Sequence, residues 1–191
     1  MANTDRPNGL RPVRHLNGSP WNGAVRRCYV PATDSTAIFV GDAVKSAGSG
    51  DSDGVPSVAQ AAAGDSLRGV VVGIEVLGTD LETLYRAAST ERYVLVCEDP
   101  DVVYEIQEDS VGNDLAATHI GNNGNVVVGS GDTTSGASGM ELDSSDVNTT
   151  GTGAAQLNVL GLAQRPDNEI GTNARWEVFI NEHEFGSTTG T

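Results

Sequence analysis

Apolar side chains in this chain return at every second position, in short runs separated by glycine, proline and small polar residues. A period of two belongs to the β-strand, whose successive side chains point to opposite faces, whereas a helix needs a period of 3.6. The runs fall at residues 26–30, 37–44, 55–59, 67–76, 92–97, 102–107, 125–128, 156–163 and 174–181. No segment offers three turns of amphipathic helix, and none repeats at a fixed interval. About ten short strands at close spacing are the pattern of barrels and sandwiches. The predicted fold class is therefore all-β: a β-barrel or β-sandwich with an extended N-terminal arm and long Gly/Ser/Thr loops.

The clearest alternation lies in residues 85–107, YRAASTERYVLVCEDPDVVYEIQ. Tyr93, Leu95 and Cys97 share one face, with Val94 and Val96 on the other. After Glu98-Asp99-Pro100-Asp101, Val102, Tyr104 and Ile106 share a face opposite Val103, Glu105 and Gln107. Asp-Pro-Asp is turn chemistry, since proline presets φ and the aspartates bond nearby backbone. The expected element is a β-hairpin with a four-residue connection, central to the body. Gly69 and Gly73 interrupt the most β-branched run and predict a bulge or a tightly bent barrel strand. Pro56 points to an edge strand, and KSAGSGDSDG at 45–54 to a polar loop. Residues 111–120 read as a single helical turn or a loop. Trp176, Val178 and Ile180 share one face of a final strand.

At 191 residues one domain is expected. Residues 1–25, with Pro7, Pro12, Pro20, Gly9, Gly18 and Gly23, read as an extended arm that orders by docking on a surface, with Trp21 as its anchor. Residues 26–185 form the β-rich domain, with a long loop or flap at 129–153 carrying a short strand, and residues 186–191 form a polar tail. The opening MANTDRPNGLRPVRHLNG has no apolar core, so no secretory signal is expected. No apolar run reaches the roughly 18 residues that span a bilayer, so no membrane partner is expected. Cys28 and Cys97 lie among strand-like residues and read as buried free thiols rather than a disulfide.

The net charge of −15 is unevenly spread. Arg6, Arg11, Arg14, Arg26 and Arg27 against Asp5 give residues 1–27 a charge of +4, which leaves −19 for the remainder. An acidic body repels phosphates, which argues against nucleic acid as a direct partner. Only Lys45 among the basic residues is lysine; arginine brings a planar fork suited to fixed contacts with carboxylates and carbonyls. Arg6, Arg11, Arg14, Trp21, Arg26 and Arg27 are the candidate binding residues, facing either a partner or a neighbouring subunit.

Catalytic signatures are missing from the sequence. His15, His119 and His183 show no metal-binding spacing, and Asn181-Glu182-His183-Glu184 reads as a solvated strand end. Asp51-Ser52-Asp53-Gly54 begins like a calcium loop, but Ala62 stands where the bidentate glutamate belongs. No nucleophile elbow, phosphate loop or dinucleotide fingerprint occurs. The expectation is a non-enzymatic protein with no metal and no cofactor.

Several stretches resemble tailed-bacteriophage head decoration, or capsid cement, proteins. They are DRPNGLRPV with HLNGSP in the arm, IFVGDAV at 38–44, GVVVG at 69–73, ASTERYVLV at 88–96, SGMELD at 138–143, LGL at 160–162, RPDNE at 165–169, and WEV with IN in the last strand. The resemblance implies a structural virion protein, made in the host cytoplasm, that binds the capsid exterior and stabilises the shell lattice. Its implied partners are the major capsid protein, met through the arm, and further copies of itself, as a trimer or less readily a dimer. Two readings of other classes compete with it. One is a host-surface or glycan-binding β module of a phage tail or fibre, with the 129–153 loop as its tip. The other is a carbohydrate-active β-sandwich enzyme, disfavoured by few aromatic residues and no paired carboxylates.

Overall fold

The computed structural model describes residues 3–151 and 153–186, so residues 187–191 of the polar tail lie outside the described residues. In chain order the strands are β1 (Arg11–His15), β2 (Arg26–Val30), β3 (Ala43–Gly50), β4 (Pro56–Gln60), β5 (Gly69–Ile74), β6 (Arg92–Cys97), β7 (Val102–Gln107), β8 (Asn123–Gly124), β9 (Val126–Val127), β10 (Glu141–Leu142), β11 (Leu157–Leu162) and β12 (Arg175–Ile180). One α-helix, α1 (Ser144–Thr150), lies between β10 and β11, and a single 3-10 turn, Ala117–His119, lies within the 111–120 stretch. The protein is nearly all β, as expected.

Strands β2, β4, β3, β5 and β6 close into a small barrel. Its interior holds Cys28, Val30, Ile38, Val44, Val58, Val71, Val94 and Val96, all with no exposed area. Apart from Ile38, which bridges to Arg86 ahead of β3, these are inward-facing strand residues, and β-branched valine fits the pleated wall. Between Val71 and Gly73 the β5–β6 register shifts, as the two glycines predicted. Gly69 serves close approach as well: a Cβ there would sit 2.1 Å from the carbonyl oxygen of Cys97.

A five-stranded sheet in the order β1-β7-β12-β11-β8 lies beside the barrel, with antiparallel pairing throughout. Register places Tyr104 against Val178, Ile106 against Trp176, Val159 against Val178 and Leu157 against Ile180. All are buried on one face, together with Leu67, Val70, Cys97, Met140 and Leu142 from the barrel wall and the 138–142 segment. The barrel's outer surface and the sheet's inner face thus share one core. Burying a side chain of this size stabilises by roughly 1.5–3 kcal/mol.

The expected hairpin does not form. Strand β6 pairs with β2 and β5 in the barrel, whereas β7 pairs with β1 and β12 in the sheet. Asp99-Pro100-Asp101 is still a turn, with the Asp101 N–H donating to Asp99 Oδ1 at 2.9 Å, but it carries the chain from one sheet to the other. The physical reason is closure: a barrel strand has both edges occupied, so β6 has none left for β7. A solvent-facing hairpin would also leave one face exposed, whereas β7 is buried along its whole length, Glu105 and Gln107 included.

Three smaller expectations change too. Strand β3 extends to Gly50, so only the tip of the 45–54 loop is a turn, held by Asp51 Oδ1 accepting from the N–H groups of Asp53 and Val55. Strand β4 lies between β3 and a parallel contact to β2, so it is not an edge; Pro56 is its first residue, where a missing N–H is tolerated. Within 129–153, the expected short strand is β10, but α1 follows it. Asp143 caps that helix by accepting from the N–H of Asp146, a start signal present in Asp143-Ser144-Ser145-Asp146. Val40 bonds Gly136 and Ser138 through backbone, and Met140 and Leu142 are fully buried, so much of this segment is packed wall rather than free tip.

The N-terminal segment crosses the barrel at Gly9 and Gly41, which meet backbone to backbone at φ values of +67° and +104°. A Cβ on Gly41 would come 2.4 Å from the carbonyl oxygen of Asn8. Gly41→Ala is expected to cost about 3 kcal/mol, from strain and displacement of the arm. Urea denaturation measures the loss, and faster proteolysis within residues 3–23 locates it.

Candidate functional site

The surface that orders the arm is its own chain. Asn3 donates to the carbonyls of Glu169 and Thr172 at 2.8 and 3.0 Å, and the Arg6 N–H donates to Gln107 Oε1 at 3.0 Å. Leu10 is fully buried, with its N–H on the Gly41 carbonyl. Strand β1 then adds to β7 with a shift between Pro12 and Arg14. After a turn at 15–19 the chain doubles back, Pro20 bridging to Arg14, and Trp21 packs half-buried against the shared core. Removing residues 1–23 would therefore take a strand and a core leucine with it, and the body is not expected to survive that deletion intact.

The six candidate residues divide. Arg14 pairs with Glu177 at 2.6 Å. Arg26 reaches Glu98 at 3.6 Å. Arg27 holds Glu75 through two nitrogens, at 2.7 and 3.1 Å, and lies 3.4 Å over the centre of the Tyr93 ring. Trp21 is an anchor. Arg6 and Arg11 are exposed, and neither forms an ion pair among the described residues.

Both free arginines border a cleft of about 270 Å³ on the outer face of the sheet. Register explains the gathering. Arg11 on β1 stands opposite Glu105 on β7, and Glu177 on β12 stands opposite Glu105 from the other side. Facing carboxylates repel, so both need cations. Arg14 neutralises Glu177; Arg165, from the turn after β11, meets Glu105 at 2.7 Å, and Arg175 reaches it at 3.7 Å. Arg175 is fixed from two further sides, donating to Asn8 Oδ1 at 3.0 Å and to the Arg6 carbonyl at 2.7 Å. Burial, and then the neighbouring cations Arg165 and Arg11, hold its pKa below the ordinary arginine value despite Glu105. Arg165 and Arg175 were not among the sequence candidates. They lie in the acidic part of the chain, and only the β1-β7-β12 pairing brings them beside the arm.

Two buried polar groups lie elsewhere. The strand end at 181–184 is not solvated: His183 is buried, and backbone bonds join Leu67 to Glu182 and Glu184 at 2.8 Å each. Glu184 accepts from the Ser46 N–H and hydroxyl, while Arg68 donates to Ser46 at 2.9 Å and to Glu98 at 2.6 Å. This network straps the end of the sheet to the barrel. Cys28 donates to Glu98 at 3.3 Å, and burial pushes its thiol up to about 12, so it is held as an unreactive thiol. Both cysteines are free and buried, as expected. The second group is Glu108, with no exposed area, and Glu141, both raised to about 7 chiefly by burial.

Among the described residues no three or more histidine, cysteine, aspartate or glutamate side chains group as metal ligands. Asp51, the calcium-loop candidate, accepts from the Tyr93 hydroxyl at 2.7 Å and closes its turn. No helix among the described residues is long and apolar enough to cross a membrane. Comparison with family models, curated proteins and solved structures finds no match to this chain.

Proposed function

We propose that this chain is a structural virion protein that binds the outer surface of a bacteriophage capsid and cements the shell lattice. The observation that carries the reading is the pair Arg6 and Arg11: exposed arginines without carboxylate partners among the described residues, on a chain of net charge −15. They stand on a stiff body of barrel and sheet with a common core, and the sequence texture of the arm, the barrel and the last strand resembles head decoration proteins. In this reading the role is mechanical, not catalytic: the body spans a seam between shell proteins, and the arm arginines meet carboxylates of the major capsid protein. The chain acts as a homotrimer on the lattice, since closed symmetry multiplies weak contacts. Val76, Leu81 and Leu84, exposed at 68%, 71% and 52%, supply apolar surface that such a trimer would bury.

The test is Arg6→Glu with Arg11→Glu, which leaves β1 and Leu10 in place. Binding to mature heads is expected to fall at least about ten-fold, the scale of one lost charge-assisted contact or more. An Arg6→Gln, Arg11→Gln variant, which adds no carboxylate opposite Glu105, should lose binding too while keeping the wild-type melting temperature. Unchanged occupancy on heads would sink the reading.

A further inference from the structure

We infer that the cleft bordered by Arg6, Arg11, Arg165 and Arg175 is a binding site for a small oxyanion, of the phosphate or carboxylate class. Four guanidinium groups from separate stretches of chain meet there, against Glu105 and Asp167 as the nearby carboxylates. The charged residues that line the cleft are these four arginines and Asp167, on a molecule whose total charge is −15. Arg165 and Arg175 are already oriented by Glu105, Asn8 and the Arg6 carbonyl, so ordering them costs a ligand little. Arg6 and Arg11 are exposed and have no carboxylate partner among the described residues, which leaves them able to close on a ligand. Planar forks on two sides of a cleft of about 270 Å³ suit an oxyanion with several acceptor oxygens better than a neutral or cationic ligand.

The amide side chains of Asn3, Asn8 and Asn168 around the cleft are committed to the fold. Asn168 bonds the backbone of Ala163 and Arg175, and Asn3 bonds that of Glu169 and Thr172, so they fix its rim. Burial is the main cause of the lowered Arg175 pKa; Glu105 opposes it, and Arg165 and Arg11 add to it. This site belongs to the isolated chain and is measurable without any capsid, so its failure and the failure of capsid binding are separate results.

The experiment titrates the full-length protein with inorganic phosphate and, separately, with citrate at low ionic strength, by calorimetry and amide chemical shifts. Saturable binding is expected, with shifts centred on Asn8, Arg11, Asn168 and Arg175. Arg11→Gln should weaken it about ten-fold. Lys45→Gln, which removes one positive charge far from the cleft in a pair with Asp65, should leave affinity within about two-fold. Tighter binding of phosphate marks a tetrahedral preference and of citrate a carboxylate preference. Absence of saturable binding with both probes, shifts centred elsewhere, or equal losses in the two variants would overturn the proposal.

Discussion

Replacing Arg86 with methionine should lower stability by about 4 kcal/mol, the largest single-residue loss expected outside the apolar core. Arg86 has no exposed area, and its guanidinium donates to four backbone carbonyls: Thr90 at 2.8 Å, Pro31 at 2.7 Å, Asp34 at 2.8 Å, and Thr36. Its own backbone bridges Ile38 in both directions. The side chain therefore fastens the 31–36 loop and the 87–90 turn over one end of the barrel. Its nearest carboxylate, on Asp34, stands 3.9 Å away, so burial lowers its pKa more than that charge raises it. Methionine fills a similar volume but donates nothing, leaving acceptors short of partners at about 1–3 kcal/mol each, with partial rescue by water near the rim. Lysine should recover only part, since an ammonium cannot reach both loops with a planar fork. Equilibrium urea denaturation of the three proteins gives the ordering wild type, lysine, methionine; a methionine variant within about 1 kcal/mol of wild type would show that the clamp is dispensable.

The second large effect is on pH dependence, and its sign is set by burial. The Glu108 carboxyl has no exposed area; one oxygen accepts from the Leu115 N–H at 2.7 Å, and the other has no partner. Asp114 and Asp109 add like charge, and its pKa rises to about 7. Glu141 is raised to about 7 as well, by burial and by Asp5 and Asp109, with Gln107 pulling the other way. In the unfolded chain both titrate near the ordinary 4.5. A folded-state pKa above the unfolded one stabilises below the unfolded value and is lost as pH climbs through the folded one. Stability should thus fall between about pH 4.5 and pH 7, by about 3 kcal/mol from Glu108 and by less from half-buried Glu141, which water screens. Asp51, Asp65, Asp80 and Asp132, whose pKa values are lowered by hydrogen bonds, act with the opposite sign below the ordinary carboxylate value. Asp42, raised by burial, adds to the decline above the ordinary carboxylate value, and His183, lowered by burial, offsets part of it below about pH 6.5. Glu108→Gln keeps an acceptor for Leu115 and carries no charge. It should gain about 2 kcal/mol at pH 8, gain nothing at pH 4.5, and flatten the decline between. Denaturation series at the two pH values measure this, and an equal effect at both would contradict the assignment.

Strand identity was legible in the sequence because period two survives wherever one face is buried. Trp176, Val178 and Ile180 were assigned to one face and are buried together, and Gly73 marked a real register shift. Partners were less legible. The stretch 85–107 looked like a hairpin because a short turn joins two apolar strands, and local spacing carries no record of barrel closure. The clearest warning lay in β7 itself, which is apolar or paired on both faces, as a strand covered from two sides must be. The arm reads in sequence as a charged segment that orders on a partner or neighbouring subunit, but the surface it meets is β7, β12 and the Gly41 turn of its own chain. Arg165 and Arg175 could not be joined to Arg11 by spacing, because nothing local fixes which strands become neighbours.

The proposed function makes one claim that a single measurement addresses: the chain sits on the shell exterior. Image reconstruction of phage particles assembled with a density-tagged version of the chain would locate it. The account predicts tag density repeated at symmetry-related positions over the outside of the head, lost in the Arg6→Glu, Arg11→Glu variant. Tag density confined to the tail, or tagged particles whose decoration is unchanged by the double substitution, would contradict it.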